Sequence, residues 1–305
     1  MTAVLINGTQ ISTAIRQELK QRVSRLQQLN KIPHLEVILV GDDAASISYV
    51  KSKEKGAAEI GIKEDTIRLP VDISQAKLIE LLEKLNQDPA IDGILVQLPL
   101  SPHMDTEKVM SHISPDKDID GCHPTNLGKL LRGQECFLPC TPHGVQELLV
   151  RSGNNPSGKH VVVCGRSNLV GKPLAVILMQ KKPYANATVT VVHTGTRDIA
   201  AFTRQADIVV TAMGKAGCIT ADMIKEGAVV IDVGINRVQD SNRDSGYRLA
   251  GDVDFDSVKK KASAITPVPG GVGPMTVTML LQNVIEAAEC KLRVQNYPLQ
   301  IWKEQ

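Results

Sequence analysis

Residues 158–178 read GKHVVVCGRSNLVGKPLAVIL, and the fold class follows from this stretch. The apolar, β-branched run of residues 161–164 is typical of a buried strand in a parallel sheet. The run stops at Gly165, and a helix is predicted to follow, with Pro173 in its first turn, where a missing N–H costs nothing. A strand, a glycine turn and a helix start bring backbone N–H groups together around an anion. The stretch therefore predicts a phosphate-binding turn.

Two phosphate-binding patterns compete for this turn. A P-loop requires glycine where Arg166 stands and serine or threonine where Pro173 stands, so that pattern is not met. The dinucleotide fingerprint G-x-G-x-x-G is not met either, because Ser167 replaces its second glycine. We interpret the turn as a variant Rossmann turn. The turn alone is a weak indication, because any strand-to-helix turn can carry glycines.

The composition is that of an ordinary globular protein, with 305 residues, 42% hydrophobic and 22% charged. A net charge of +2 gives no reason to expect nucleic acid or a membrane surface as a partner. The six cysteines form no C-x-x-C pair, which argues against a metal cluster and favours reduced thiols in a cytosolic protein. The first residues lack the pattern of a signal peptide, and no apolar run is long enough to span a bilayer.

Helix and strand patterns alternate along the chain, which predicts an α/β fold with two α/β domains. Residues 1–142 are predicted to form the first domain, and residues 143–276 a doubly wound, Rossmann-like second domain. Residues 277–305 are predicted to form a C-terminal helix and tail. The predicted helices cover residues 11–29, 45–60, 74–85, 145–150, 174–178 and 277–288. The predicted strands cover residues 35–40, 66–69, 91–98, 161–164, 188–192, 208–212 and 228–233.

Polar side chains stand at positions where they could carry chemistry. Tyr49 and Lys53 lie one turn apart on a predicted helix and can share one cleft, although a solvated lysine beside a half-buried tyrosine gives the same pattern. Gln97 follows a predicted strand, where ligands bind in open α/β sheets, although it could equally face water. Asp120 lies in an acidic turn and could recognise an N–H-bearing heterocycle, or simply belong to a polar loop.

The strand over residues 188–192 bears on the choice of dinucleotide. A Rossmann domain that binds NAD usually places an acid after its second strand, where it holds the ribose 2′-hydroxyl. In this chain no acid follows that strand until Asp198. Together with Arg166, this favours a 2′-phosphate and hence NADP, unless Arg166 is simply an exposed arginine.

Several motifs occur in order between Val4 and Ala288. They are YVKSK at 49–53, DGILVQLPL at 92–100, KDIDG at 117–121, PCTP at 139–142, GRS at 165–167, IDVGIN at 231–236 and TPVPGGVGPMT at 266–276. With these motifs the chain resembles the bifunctional methylenetetrahydrofolate dehydrogenase/methenyltetrahydrofolate cyclohydrolase family, of the FolD type in bacteria. The last motif is the most specific of them.

The resemblance implies that 5,10-methylenetetrahydrofolate is oxidised with NADP and that the methenyl product is hydrolysed to 10-formyltetrahydrofolate, without a metal. It implies a cytoplasmic homodimer formed through the cofactor domain, and a C-terminal helix that packs back on the first domain. The implied catalytic residues are Lys53, Tyr49, Gln97 and Asp120. The implied substrate-binding residues are Tyr49, Lys53, Val96, Gln97, Leu98, Asp120, Pro269, Gly270, Gly271, Val272 and Gly273. The implied cofactor-binding residues are Gly165, Arg166, Ser167, Thr194, Ile235 and Thr276.

Some positions depart from the family pattern, and three other functions stay open. Cys122 stands where bacterial members usually carry phenylalanine, Thr194 replaces a serine, and Lys215-Ala216 stands where a proline is common. One alternative is a dehydrogenase without cyclohydrolase activity, against which Lys53 and Gln97 argue. The others are a two-domain NADP enzyme of the shikimate or amino-acid dehydrogenase kind, and a nucleotide-binding module without activity.

Overall fold

The structure is a computed structural model that describes residues 2–241 and 246–294. These residues form two compact units. The amino-terminal unit comprises residues 14–129, 135–138 and 277–294, and the central unit comprises residues 2–13, 130–134 and the described part of 139–276. No helix in the described part is long and apolar enough to cross a membrane. The domain limits predicted at residues 142 and 276 stay predictions, and residues 295–305 of the predicted tail lie outside the described residues.

Helices and strands alternate along most of the described chain. In chain order, the elements are β1 (Val4–Leu5), α1 (Gly8–Gln28), β2 (His34–Val40), α2 (Ala44–Ile60), β3 (Lys63–Leu69), α3 (Gln75–Gln87), β4 (Gly93–Val96), α4 (Thr106–Met110), α5 (Pro124–Leu131), α6 (Cys140–Arg151), β5 (His160–Cys164), α7 (Gly171–Met179), β6 (Thr188–Val192), α8 (Ile199–Thr203), β7 (Ile208–Thr211), a 3-10 helix (Ala221–Met223), β8 (Val229–Asp232), β9 (Asn236–Gln239), β10 (Tyr247–Ala250), α9 (Phe255–Val258), β11 (Ala264–Ile265) and α10 (Val272–Val294).

The amino-terminal unit is built on a three-stranded parallel sheet in the order β3-β2-β4. All seven residues of β2 are buried, as expected for a central strand covered on both faces. On one face, Leu78 and Leu82 of α3 pack against Ile38 and Ile94 of the sheet. Both leucines are fully buried, and each such side chain contributes roughly 1.5–3 kcal/mol to stability. This packing fixes the position of β4 and therefore of its carboxyl end.

Local signals in the sequence set both ends of α2. The Asp43 carboxylate caps the helix by accepting the Ser46 backbone N–H at 2.8 Å. The helix ends at Gly61, which has φ +86° and donates its N–H to the Ala57 carbonyl. This left-handed conformation costs a glycine little. The face of α2 that carries Lys53 is thereby fixed toward the interior of the unit.

The C-terminal helix α10 packs on α1 and α2 of the amino-terminal unit, which confirms the predicted return of this helix. Arg22 of α1 makes a bidentate ion pair with Glu289, with nitrogen–oxygen distances of 3.0 and 2.7 Å. A Cβ atom at Gly56 of α2 would lie 3.1 Å from the Leu281 side chain. The two helices therefore approach closely at Gly56, and a side chain there would require Leu281 to shift.

The central unit contains a six-stranded parallel sheet in the order β1-β11-β8-β7-β5-β6. Strand β5 pairs with β6 on one side and with β7 on the other. After β6 the chain therefore returns across β5, and the strand order reverses between β5 and β7. Open α/β sheets bind ligands at such a switch point, at the carboxyl ends of the strands. The predicted α/β class and the Rossmann-like second sheet are confirmed.

The structure differs from the predicted elements where polar or proline-rich sequence adopts regular structure. Helix α10 begins at Val272 rather than at residue 277, because Pro274 fits a first helical turn, where no N–H partner is needed. Helix α6 begins at Cys140 for the same reason, with Pro142 in its first turn. The region between residues 101 and 142 contains the short helices α4 and α5. The predictions missed β1 and β11, because two-residue strands carry no periodicity.

Glu36 of β2 is buried, and only 6% of it is exposed. Burial raises the pKa of its carboxyl to about 7, and the negative charge of Asp65 on the paired strand raises it further. An unfolded chain would release this proton near pH 4.3. The folded protein therefore carries a penalty for ionised Glu36 that is fully present above pH 7 and disappears as the pH falls toward 4.5.

We expect Glu36→Gln to raise the free energy of unfolding at pH 8 and to change it little at pH 5, because the amide never ionises. Urea titrations at both pH values, in buffer that contains a chelator, measure this difference. Glu83→Gln, an exposed position on α3, is the matched control and should show no such pH dependence. An equal effect of Glu36→Gln at both pH values would contradict the assignment.

Candidate active site

Lys53 lies on the buried face of α2, and its side chain reaches the carboxyl end of β4. Only 8% of Lys53 is exposed, which is unusual for a lysine without a partner. Its Nζ donates to Gln97 Oε1 at 2.8 Å. The backbone N–H of Gln97 donates to the Ile38 carbonyl at 2.9 Å, and its Nε2 donates to the Leu98 carbonyl at 2.7 Å. The first bond fixes the main chain at Gln97, and the second orients the amide so that its oxygen faces the ammonium.

The geometry decides between the alternatives that the sequence left open for this helix. Lys53 is buried and bonded rather than solvated, and Tyr49, one turn earlier, is 45% exposed. Gln97 is partly buried, and its amide oxygen accepts a hydrogen bond from Lys53, so the side chain does not simply face water. Of the predicted residues, the structure therefore brings Lys53, Gln97 and Leu98 together at one strand end, and Tyr49 lies one helical turn before Lys53.

Glu64 is a partly buried acid of the amino-terminal unit that the sequence patterns did not indicate. It lies near the start of β3, and burial is the largest cause of its raised pKa. The charge of Glu54 raises this pKa further, whereas a hydrogen bond from Thr66 Oγ1 and the ammonium of Lys53 lower it. The hydrogen-bond partner of Lys53 itself is the neutral amide of Gln97.

The loop that carries Asp120 is held by its neighbour Asp118. Asp118 is buried, and its carboxylate accepts the His123 N–H at 2.8 Å, the Cys122 N–H at 3.3 Å and Asn126 Nδ2 at 2.8 Å. Asp118 also pairs in parallel with Ile94 of β4, so this segment runs toward the sheet end at which Gln97 lies. Asp120 itself is half-buried.

The helix α10 adds a second anchor to this loop. Asn283 is buried, and its Nδ2 donates to the Ile119 carbonyl at 2.7 Å and to the Leu138 carbonyl at 3.0 Å. Cys122, one of the departures from the family pattern, contributes a contact from Sγ to the Asp120 carbonyl at 3.5 Å. Burial raises the pKa of the Cys122 thiol, so it stays protonated. The predicted substrate-binding acid thus lies on a rigid turn.

The central unit has a pocket of about 400 Å³ beside the start of α10. The predicted residues Pro269–Gly273 and Ile235 line it together, along with Thr9. The Thr9 N–H donates to the Gly270 carbonyl at 3.1 Å, and Gly270 has φ +98°. A Cβ atom at Gly271 would lie 2.5 Å from the Pro267 carbonyl oxygen. This tight turn therefore requires its glycines, and it closes one wall of the pocket.

The turn after β5 lies at the switch point of the central sheet. Gly165 has φ +135°, and a Cβ atom there would strike the Ala212 carbonyl oxygen of the neighbouring strand end. Arg166 and Ser167 are exposed, and Ser167 Oγ accepts the Val170 N–H at 3.1 Å just before α7 begins. The three predicted cofactor-binding residues therefore form one exposed turn at the start of a helix.

The end of β6 lacks a free acid, as the sequence predicts. Thr194 is exposed in the turn that follows β6. Asp198, the first acid after this strand, caps α8 by accepting the Ala201 N–H at 3.1 Å. Its carboxylate is therefore committed to the helix end. Thr276, the last predicted cofactor contact, is bonded through its hydroxyl to Thr141 Oγ1 at 2.9 Å.

Two buried carboxylates that the sequence patterns did not single out organise the carboxyl ends of β7 and β8. Asp252 is fully buried, and its carboxylate accepts the backbone N–H groups of Met213, Gly214 and Lys215 at 2.6–3.2 Å, together with Asn236 Nδ2 at 3.0 Å. The turn after β7 is thereby held beside Gly165 at the switch point.

Asp232, at the end of β8, is the second of these carboxylates. It accepts the backbone N–H groups of Gly234, Asp252 and Val253 at 2.9–3.0 Å, and the Thr211 hydroxyl at 3.0 Å. Burial raises its pKa, and these donors oppose the shift. The glycines beside the two acids mark them in the sequence, because a Cβ atom at Gly234 or Gly251 would strike a carboxylate.

Comparisons with known proteins agree over nearly the whole chain. Residues 6–120 match the family described as tetrahydrofolate dehydrogenase/cyclohydrolase, catalytic domain, and residues 139–292 match its NAD(P)-binding domain. "Bifunctional protein FolD" of Syntrophus aciditrophicus is 54% identical over 288 residues, which are 94% of this chain and 98% of that protein. "Bifunctional protein FolD" of Dehalococcoides mccartyi is 55% identical over 291 residues, 95% of this chain and 98% of that protein.

Solved structures give the same result. The bifunctional enzyme FolD-methylenetetrahydrofolate dehydrogenase/cyclohydrolase from Campylobacter jejuni superposes with a TM-score of 0.89 at 46% identity, over 95% of this chain and 99% of that one. The N5,N10-methylenetetrahydrofolate dehydrogenase-cyclohydrolase of Trypanosoma brucei, solved with NADP cofactor and inhibitor, has a TM-score of 0.90 at 42% identity, over 96% and 99% of the two chains.

We expect Asp252→Asn to lower the free energy of unfolding by about 2 kcal/mol or more, because the amide turns a donor toward N–H groups that lose their acceptor. Urea denaturation measures this loss. Asp254→Asn, the same substitution at an exposed position two residues later, is the control and should change stability by less than about 0.5 kcal/mol. Equal effects of the two variants would show that Asp252 does not hold the turn.

Proposed function

The chain belongs to the tetrahydrofolate dehydrogenase/cyclohydrolase family, and we propose that Lys53, held by Gln97, is the general acid/base of its hydrolytic step. The protein oxidises 5,10-methylenetetrahydrofolate to the 5,10-methenyl cation with NADP⁺ and hydrolyses this cation to 10-formyltetrahydrofolate. The hydrogen bond of 2.8 Å between Lys53 Nζ and Gln97 Oε1 is the observation that carries the proposal. The family match excludes the shikimate or amino-acid dehydrogenase alternative.

The oxidative step requires positioning and exclusion of water more than proton transfer. NADP⁺, when bound, accepts the hydride that leaves the methylene carbon. The residues at the switch point fit a dinucleotide, because Gly165 leaves room that a side chain would fill and the following turn is exposed at the start of α7. No protein base is required for this step.

The hydrolytic step moves protons, so it requires a general acid/base. Water adds to the methenyl carbon and loses a proton, which an uncharged Lys53 amine accepts. The resulting ammonium then protonates the folate nitrogen as the carbon–nitrogen bond opens. The remaining hydroxyl proton is released to water as the formyl C=O forms, so the step yields one proton overall. Gln97 has no proton to exchange at its amide oxygen, so its role is to orient the lysine. The backbone bonds of Gln97 keep that orientation rigid.

We propose folate contacts in each unit separately. In the amino-terminal unit, the exposed ring of Tyr49 packs against the folate, Asp120 accepts N–H groups of the pterin, and Val96 and Leu98 flank Gln97. The rigid turn around Asp118 supports this role of Asp120. In the central unit, the pocket beside Pro269–Gly273 supports a role of these residues in binding substrate.

We propose that Gly165, Arg166, Ser167, Thr194, Ile235 and Thr276 contact NADP, with Arg166 on the 2′-phosphate. Arg166 is exposed, and no hydrogen bond or ion pair reaches it from the described residues. A guanidinium can bind a phosphate through two parallel hydrogen bonds. Asp198 caps α8, and no other acid follows β6 in that turn, which supports a preference for NADP over NAD.

We propose that the protein acts as a cytoplasmic homodimer formed through the central unit. The central unit exposes several large apolar side chains that such an interface would cover. They are Met179, Tyr184, Val191 and Phe202. Apolar and aromatic side chains of this kind are enriched in protein interfaces.

We expect Arg166→Ala to lower kcat/KM for NADP⁺ by roughly tenfold or more, the effect of losing a charge-assisted hydrogen bond, and to leave the value for NAD⁺ unchanged. Steady-state rates with both cofactors measure the preference. Arg151→Ala, at the exposed C-terminal end of α6, is the matched control. An unchanged ratio of the two kcat/KM values in Arg166→Ala would show that Arg166 does not bind the 2′-phosphate.

We expect Lys53→Met to lower cyclohydrolase activity by roughly a hundredfold or more, as for a lost general acid/base, while much of the dehydrogenase activity survives. The variant keeps the apolar stem and removes the amine. NADPH formation and the decay of added methenyltetrahydrofolate, corrected for the uncatalysed rate, follow the two steps separately. Lys55→Met, at an exposed position of the same helix, is the control.

The outcomes of the Lys53→Met experiment separate three roles of this lysine. Loss of both activities with intact folding and NADP binding would make Lys53 a positioning residue for both steps. Survival of both activities would mean that another group moves the proton. Only the selective loss of hydrolysis supports the proposal.

A further inference from the structure

Three side chains with metal-ligating atoms converge at the amino ends of β2 and β3. His34 and Glu36 are two residues apart on β2, so they lie on the same face of the sheet. Asp65 of β3 is the register partner of Glu36 and therefore lies on that face too. One ligand atom from each of the three residues falls within 4.8 Å of the others. Strand pairing, rather than a flexible loop, sets this arrangement.

The distances within the cluster are close to those between ligands of one small cation, although the shortest is that of a hydrogen bond. His34 Nε2 lies 2.9 Å from Asp65 Oδ2 and 3.6 Å from Glu36 Oε2. Ligand bonds of about 2.0–2.2 Å in tetrahedral geometry place neighbouring ligand atoms roughly 3.3–3.6 Å apart. Asp65 is half exposed, so its carboxylate can make the small adjustment that this geometry requires.

No described residue donates a hydrogen bond to the Glu36 carboxylate, although this side chain is largely buried. Only 6% of the residue is exposed, and its nearest polar partner is His34 Nε2 at 3.6 Å, too far for a hydrogen bond. No other described residue donates to it. By contrast, the buried Asp92 carboxylate nearby accepts Lys31 Nζ at 2.7 Å and the His34 N–H at 3.0 Å. A largely buried carboxylate that faces an imidazole and a second carboxylate favours a cation at this position.

We propose that His34, Glu36 and Asp65 bind a divalent transition-metal ion such as Zn²⁺. One imidazole nitrogen and two carboxylate oxygens form a donor set that suits Zn²⁺, and a fourth position stays open to water. The metal takes the place of a proton on His34 Nε2. It also supplies a positive charge beside the Glu36 carboxylate. It joins β2 to β3 and therefore stabilises the edge of the amino-terminal sheet.

Lys63 is the competing cation at this site. Its Nζ lies 2.8 Å from Asp65 Oδ2, and 55% of its side chain is exposed. A metal at Asp65 therefore displaces an ammonium that can move freely into water. Since the lysine and the metal exclude each other, removal of the lysine strengthens metal binding.

The site is separate from the proposed chemistry. His34 is the first residue of β2, whereas Gln97 follows β4 at the other end of the same parallel sheet. Ile38, the partner of Val96, lies four residue steps along β2 from His34, which corresponds to roughly 13 Å of strand. Metal bound at His34 therefore leaves Lys53 and Gln97 unchanged.

Isothermal titration of Zn²⁺ into the untagged, EDTA-treated and dialysed full chain tests the proposal. We expect one equivalent that depends on the cluster, with affinity falling at least roughly tenfold in Glu36→Gln and in Asp65→Asn. Asp65→Asn alters an exposed side chain, so it tests the site even if Glu36→Gln folds poorly. Lys63→Met should bind Zn²⁺ more tightly than the unchanged protein, the opposite direction from the ligand variants.

Controls separate this site from other Zn²⁺ ligands of the chain. His112→Ala removes a histidine outside the cluster and should leave the titration unchanged. Co²⁺ bound at the site should show no thiolate charge-transfer band, which excludes the cysteines as ligands. Both enzymatic activities should stay at their original level in all of these variants. Zn²⁺ affinity that is equal in the unchanged protein, Glu36→Gln, Asp65→Asn and Lys63→Met would overturn the proposal.

Discussion

Buried carboxylates that accept backbone N–H groups hold the functional turns of both units. A carboxylate removed from water is costly unless donors surround it, so each of these acids fixes the segments that supply its donors. Asp118 fixes the turn of Asp120, whereas Asp252 and Asp232 fix the strand ends at the switch point of the central sheet. The active-site loops are therefore rigid because their backbones satisfy buried charges.

The Lys53–Gln97 pair is the corresponding case for a buried cation, whose N–H is accepted by a neutral amide oxygen. Lys53 is buried, and the amide oxygen that receives its N–H is itself held by main-chain bonds around Leu98. A neutral acceptor tolerates both protonation states of the amine, since it forms a hydrogen bond with either. A carboxylate in the place of Gln97 would favour the charged state of the amine, which suits an ion pair more than an acid/base. The pair is thus suited to proton transfer.

Much of this organisation could be predicted from the sequence, and the exceptions have physical causes. The strand over residues 188–192 and the helix containing Lys53 follow from periodicity and end signals, because those are local properties. The pairing of β1 with β11 is non-local and involves two residues on each strand, so no pattern indicates it. Glu64, Asp232 and Asp252 were missed because burial and donors, which a sequence does not display, define their roles. Gly234 and Gly251, which leave room for the carboxylates of Asp252 and Asp232, were the available sequence signal for these two acids.

Chemical rescue is the sharpest test of whether the amine of Lys53 transfers the proton in hydrolysis. In Lys53→Ala, small primary amines added to the buffer would occupy the space of the missing side chain. We expect the cyclohydrolase rate to rise with the concentration of amine while the dehydrogenase rate does not change. A cyclohydrolase rate that stays at the background value at every amine concentration, in a variant that still binds folate and oxidises it, would contradict the role assigned to Lys53.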